Sequence, residues 1–205
     1  GSTGRVLPFM AGDDGGDLVE TAFLMLGLLG AAAYFSEEPS ITARIQAIFD
    51  GVNWAAHLRE DGAFMWHRHP DRVWSPHALP IRGWNEALPV LVLGAGSRTH
   101  PIPAASYHDS WARTPTFLNG RDYDGTVLPL GPDWGGPLFM SQYPFLGIDP
   151  RGLRDGYADY GVQARAHALV NRHHCLTNPG GWAGYGPDCW GLTASDDPSG
   201  YVAHS

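Results

Sequence analysis

The segment Phe23–Phe35 carries no charged side chain and, apart from the Tyr34 hydroxyl, no polar one. It is led by Asp17-Leu18-Val19-Glu20, the Asp-x-x-Glu form of a capping box, and Pro39 ends it. The pattern predicts a helix that is apolar nearly all round, and such a helix should be buried on most sides. That demand commits the chain to packing further helices against it. The run is too short to span a bilayer, which takes about 20 residues. Asp13, Asp14, Asp17 and Glu20 ahead of it are the wrong flank for a signal peptide.

Further helices are legible. One reads from Ser40 to about Asn53, with Ile41, Ile45, Ile48 and Phe49 on one face. A third spans Gly83 to about Gly96, with Pro89 tolerated near its start. A fourth begins at Pro103 and runs to about Arg113. A fifth covers about Gly156 to His174. Between Ala56 and Ser75 the pattern changes to aromatics around a turn at Glu60-Asp61-Gly62-Ala63, which predicts a β-hairpin through Phe64, Trp66 and Val73-Trp74. Residues 114–156 read as loops with short extended pieces at Thr116-Phe117-Leu118 and Val127-Leu128. The aperiodic tail from Leu176, rich in Gly, Pro and aromatics, reads as a lid over core or a functional loop. The fold class is mainly α with a β-hairpin and long loops, in one domain over residues 1–205.

Composition narrows the function. The formal charge is −8, and all 13 basic residues are arginine. No lysine is present to form a Schiff base or a P-loop, and a net acidic chain does not suit a nucleic-acid surface. Eight Trp, eight Tyr and eight Phe against 17 % charged residues fit a sugar-stacking cleft, although a plain core also absorbs aromatics. Cys175 and Cys189 allow one bridge or two thiols. His67-Arg68-His69 and His173-His174-Cys175 lack the spacing of a metal site, so hydrogen-bonding histidines are expected there.

Two carboxylates stand out. Glu20 leads directly into the apolar helix, three residues after Asp17, so the pair shares a helical face. Glu86, in Arg82-Gly83-Trp84-Asn85-Glu86-Ala87, falls in the first turn of the third predicted helix beside a tryptophan and an amide. Acids at helix starts commonly serve as caps. Two acids in aromatic surroundings are also what glycoside hydrolysis needs: one protonates the leaving oxygen and the other activates water or attacks carbon.

Gly15-Gly16-Asp17-Leu18-Val19-Glu20-Thr21-Ala22-Phe23, Trp84-Asn85-Glu86-Ala87, Thr99-His100-Pro101-Ile102-Pro103, Leu138-Phe139 with Gln142-Tyr143, and Trp190-Gly191-Leu192-Thr193-Ala194-Ser195-Asp196 occur in this order. Together they resemble the glucoamylase-like domain of bacterial endo-β-1,2-glucanases and cyclic β-1,2-glucan synthases. The resemblance implies an (α/α)6 barrel acting on β-linked glucan, with no metal or organic cofactor. Five or six helices are about half of such a barrel, so a partial toroid, incomplete at both ends, is expected. It also implies Glu86 and Glu20 as the essential carboxylates, one as general acid and the other as base or nucleophile, with Asp17 and Asp13 as neighbours that tune them or hold water and sugar hydroxyls. Trp84, Trp111, Tyr143 and Trp190 would stack on sugar faces, and Gln142, Arg165 and Asp196 would bind hydroxyls. Hydrolysis, transglycosylation and a non-catalytic glucan-binding remnant are the readings this leaves. A periplasmic or extracellular place follows from the substrate class alone.

Overall fold

In the computed structural model, which describes residues 15–71, 74 and 78–203, the first helix starts where the capping box places it. Asp17 is extended, and its carboxylate accepts the Val19 and Glu20 N–H groups at the head of α1 (Leu18–Tyr34). Just before it, β1 (Gly16–Asp17) pairs antiparallel with β2 (His67–Arg68), Asp17 facing His67. The approach is close: Gly15 has φ +119°, and a Cβ there would lie 2.5 Å from the Arg68 carbonyl oxygen, so glycine is required.

The chain folds as two compact units, the first comprising the described residues up to Arg82 together with Ala87–Trp111, the second Gly83–Glu86 with the chain from Ala112. In the first unit, α2 (Pro39–Gly51) and α3 (Leu88–Ala95) pack on α1. Leu18, Val19, Ala22 and Met25 are buried against them. The expectation of burial on most sides is corrected here. Leu24 and Tyr34 on α1 and Ile48 on α2 are exposed, because among the described residues α2 and α3 cover one side of α1. The distal ends of α2 and α3 are tied by the Arg98–Asp50 ion pair at 2.8 Å and by Thr99 Oγ1 donating to the Asp50 carbonyl at 2.6 Å.

Three further expectations shift. A tight turn forms at the expected place, with Arg59 N–H donating to the Ala63 carbonyl, but Phe64 pairs with Leu58 on one edge. On the other edge Trp66 donates to Leu79 and Ile81 donates to Phe64, so the partner is the 79–81 segment rather than Trp74; Val73 lies outside the described residues. The third helix begins at Leu88, since Gly83 takes φ +70° and opens a turn instead, with Pro89 accommodated near the helix start. The fourth is a π-helix, Ser106–Ala112, in which the Ser110 hydroxyl donates to the Ser106 carbonyl.

The second unit is built on a hairpin and a helix. β3 (Leu118–Tyr123) and β4 (Thr126–Leu130) are joined by Asp124-Gly125, both at positive φ as a tight hairpin turn demands. α4 (Tyr160–Thr177) is capped by Asp159 and packs on β4, burying Tyr123, Leu128, Ala166 and Val170 together. Beneath them runs a buried polar network. Ser141 Oγ accepts from Trp84 Nε1 and Gln163 Nε2, each at 3.1 Å, and lies 2.8 Å from His167 Nδ1. With two donors already aimed at it, the hydroxyl donates its own proton to Nδ1, which leaves His167 Nε2–H to donate to the Gly136 carbonyl at 3.0 Å. That neutral ring agrees with burial, which pulls the His167 pKa below its ordinary value. Ser141→Ala should strip three partners at once and cost about 2–3 kcal/mol. An unchanged urea-unfolding midpoint in that variant would show that the network does not hold the unit.

The tail is docked rather than draped. Asn171 clamps Leu192 through both its amide groups, and Leu138 N–H donates to the Leu192 carbonyl at 3.0 Å. Beyond that point β5 (Ala194–Asp197) and β6 (Gly200–Ala203) form an exposed hairpin, so this part does not cover core. Cys175 is a buried free thiol and Cys189 an exposed one.

Candidate functional site

Glu20 stands in the first turn of α1, exposed, three residues after the cap. The turn beneath it is held by more than its own helix. Leu18 N–H donates to the Trp66 carbonyl at 3.0 Å, crossing from α1 to the segment leading into β2. Asp17 then gathers four donors. Oδ1 accepts Val19 N–H at 2.8 Å and Glu20 N–H at 2.9 Å; Oδ2 accepts Trp66 Nε1–H at 3.3 Å and a proton from His67 Nε2 at 3.1 Å. Burial opposes ionisation of this carboxyl, yet the His67 hydrogen bond, the Glu20 N–H, the His67 charge and the Val19 N–H together hold it below the ordinary value of 3.8. Asp17 is thus committed to the protein, and sequence reasoning, which offered it as a residue for water and sugar hydroxyls, is corrected on that point. Asp13 lies outside the described residues.

Glu86 is half-buried in the turn that precedes α3, not within a helix. Its turn is pinned at several points. Gly83 N–H donates to Thr114 Oγ1 at 2.7 Å and Trp84 N–H to the Thr116 carbonyl at 3.2 Å. The Trp84 indole is buried against Phe117, Phe145 and Tyr160 and donates to Ser141. Trp84 is therefore the anchor of the Glu86 turn, and its faces are occupied by protein rings rather than open for a sugar. Trp111 is fully buried in the π-helix beside Tyr107 and is equally withdrawn from solvent.

The remaining expected sugar contacts all reach solvent. Tyr143 is 48 % and Trp190 43 % exposed, and Gln142, Arg165 and Asp196 are exposed as well. Gln142 and Tyr143 follow Ser141 directly, so the network that fixes Trp84 also fixes the stretch that carries them. Trp190 precedes the Leu192 clamp by two residues.

A cavity of about 560 Å³ in the second unit is bordered by Trp134, His174, His173, Asp124, Asn171 and Leu192. None of the expected carboxylates or sugar contacts lines it, so its size does not make it the reaction site. Among the described residues no group of three or more His, Cys, Asp or Glu could hold a metal ion, and no helix is long and apolar enough to cross a membrane. Sequence reasoning missed the partners of both carboxylate turns. His67 and Trp66 lie about fifty residues from Asp17, and Ser141 lies 57 from Trp84. No spacing rule links residues so far apart.

Comparison with known proteins extends the picture. The model of the Glycoamylase family, described as "Putative glucoamylase", matches residues 78–205. An exo β-1,2-glucooligosaccharide sophorohydrolase of Parabacteroides distasonis is 34 % identical over 99 % of this chain and 31 % of its own length. The crystal structure of a putative glucoamylase from Bacteroides uniformis superposes with a TM-score of 0.93 at 46 % identity, over 100 % of this chain and 51 % of that one. An endo-β-1,2-glucanase from Chitinophaga pinensis, solved with sophorotriose and glucose, gives a TM-score of 0.91 at 41 % identity, over 98 % of this chain and 50 % of that one. The chain thus spans from about a third to about a half of the length of these relatives.

Proposed function

This chain belongs to the Glycoamylase family, and on that premise we propose that it forms the carboxylate-bearing part of a glycoside hydrolase that cleaves β-1,2-linked glucan. What carries the reading is the likeness to the Chitinophaga pinensis endo-β-1,2-glucanase across nearly the whole chain. In this reading Glu86 is the general acid that protonates the glycosidic oxygen, and Glu20 is the base or nucleophile; the two roles are interchangeable on chemical grounds. Asp17 shapes the Glu20 turn. Tyr143 and Trp190 offer ring faces to the C–H surface of a pyranose, while Gln142, Arg165 and Asp196 offer planar polar groups to its hydroxyls.

The architecture proposed is part of an (α/α)6 toroid. The exposed apolar residues of α1 and α2 support it, since Leu24 and Ile48 suit a packed helix surface better than a wet one. Incubation of the purified chain with linear β-1,2-glucan tests the activity. New reducing ends are the expected result. Longer or cyclic products would replace hydrolysis by transfer, and binding without turnover would sink the enzymatic reading for this chain.

A further inference from the structure

We infer that His67 is a positioning residue of the proposed site: through the Asp17 carboxylate it holds the first turn of α1, and with it Glu20, in one orientation. This rests on the reading of Glu20 as a catalytic group. Capping explains only half of what surrounds Asp17. A helix N-cap needs one side-chain oxygen for the free N–H groups, and Oδ1 does that for Val19 and Glu20. Oδ2 adds nothing to the cap. It is taken instead by Trp66 Nε1–H and His67 Nε2. An ionised carboxylate offers about four acceptor directions, so Asp17 has none left for water or substrate.

The second oxygen is where orientation is set. With Oδ1 alone engaged, the carboxyl could pivot about its bond to Cβ and carry the cap geometry with it. His67 prevents this from a rigid place: it is 4 % exposed, it stands opposite Asp17 in the β1–β2 pair, and its ring lies nearly parallel to the Trp66 indole. Because ionised Asp17 only accepts, His67 carries a proton on Nε2. Among the described residues, the other titratable groups nearby are Glu20 in the same helical turn, Arg68 next to His67 on β2, and His57. Burial keeps His57 below its ordinary pKa, and its Nδ1–H donates to the Met65 carbonyl at 3.1 Å. Among the described residues, the donors that orient Oδ2 are His67 Nε2 and Trp66 Nε1.

Positioning at this level matters to rate more than to binding, since a misplacement of about 1 Å in a reacting group can cost about 10²-fold. The experiment compares His67→Leu and His67→Gln with the wild-type chain on β-1,2-gluco-oligosaccharides, and follows the Asp17 carboxyl carbon by NMR across pH. His67→Leu should lower kcat by about 10–100-fold with KM within about twofold. It should also move the Asp17 titration, and the acid limb of the rate profile, to higher pH. His67→Gln retains a donor toward Oδ2 and should recover most of kcat. Equal impairment of the two variants, or a loss of thermal stability in His67→Leu with kcat and the Asp17 titration unmoved, overturns the inference. Should His67→Leu not fold, an Asp17 carboxyl that titrates at its ordinary value in the wild type overturns it equally. Absence of turnover in the wild type would instead defeat the functional reading, while the Asp17 titration would still decide the role of His67.

Discussion

Glu86→Gln should reduce turnover of linear β-1,2-glucan by about 10³-fold or more while leaving glucan binding within a few-fold of the wild type. The amide keeps the size and hydrogen bonding of the carboxyl but cannot release a proton to the leaving oxygen, and general acid catalysis typically contributes about 10²–10⁴-fold. The turn that carries the residue should survive the change. Gly83 and Trp84 fix it through Thr114, Thr116 and Ser141, with the Trp84 ring enclosed by Phe117, Phe145 and Tyr160. Reducing-end release measured beside calorimetric binding separates the outcomes. Full turnover in the variant removes Glu86 from the acid role, and lost binding would mean that the side chain orients substrate instead.

Asp17→Ala should lower stability at neutral pH by about 3 kcal/mol, the sum of a lost cap, about 0.5–2 kcal/mol, and of buried or half-buried donors left without an acceptor, about 1–3 kcal/mol. Trp66 Nε1 and His67 Nε2 are those donors. Asp17→Asn is expected to be milder, keeping an oxygen for the helix N–H groups yet turning an NH₂ toward two donors. The pH dependence carries its own sign. The folded carboxyl lies below its ordinary value of 3.8, so its contribution is complete above that value and is lost as pH falls through the folded one. The gap between wild type and Asp17→Ala in urea-unfolding midpoint should therefore be constant from pH 7 to about 5 and narrow below about 3.8. A gap that persists unchanged into acid, or none at neutrality, would contradict the four-donor description.

The two turns differ in how openly they announced themselves. The cap at Asp17 was legible because helix starts obey a local rule over four residues, and α1 begins within one residue of the expected place. α4 is legible from its apolar positions, from Tyr160 to Val170, although its cap, Asp159, lies three residues beyond the expected start. The sequence points to a third helix that starts too early, at Gly83, because Glu86 reads as a first-turn acid ahead of the apolar stretch from Ala87, and nothing local reveals that Gly83 takes a left-handed φ. The fourth reads as an ordinary helix, since its start signal, Pro103, does not distinguish an α-helix from the π-helix at Ser106–Ala112.

Aromatic content misled in a systematic way. Trp84, from a motif that resembles a sugar-binding family, and Trp111, expected beside it as a sugar platform, are both buried. Motif membership cannot tell a ring that touches substrate from one that anchors the residue that does. Trp84 anchors the Glu86 turn, its N–H spent on Ser141 and its faces on three rings. Tyr143 and Trp190, from the same motifs, remain open to solvent.

The order of residues along the chain was enough to determine the helical class and the family and to single out the carboxylates proposed for the site, because caps, periodicity and short motifs act over a few neighbouring positions. Only the folded structure decided which groups hold those carboxylates. Asp17 meets His67, and Trp84 meets Ser141, across about fifty intervening residues. Hydrogen bonds of that reach depend on where whole strands and helices come to rest, and no local preference encodes that.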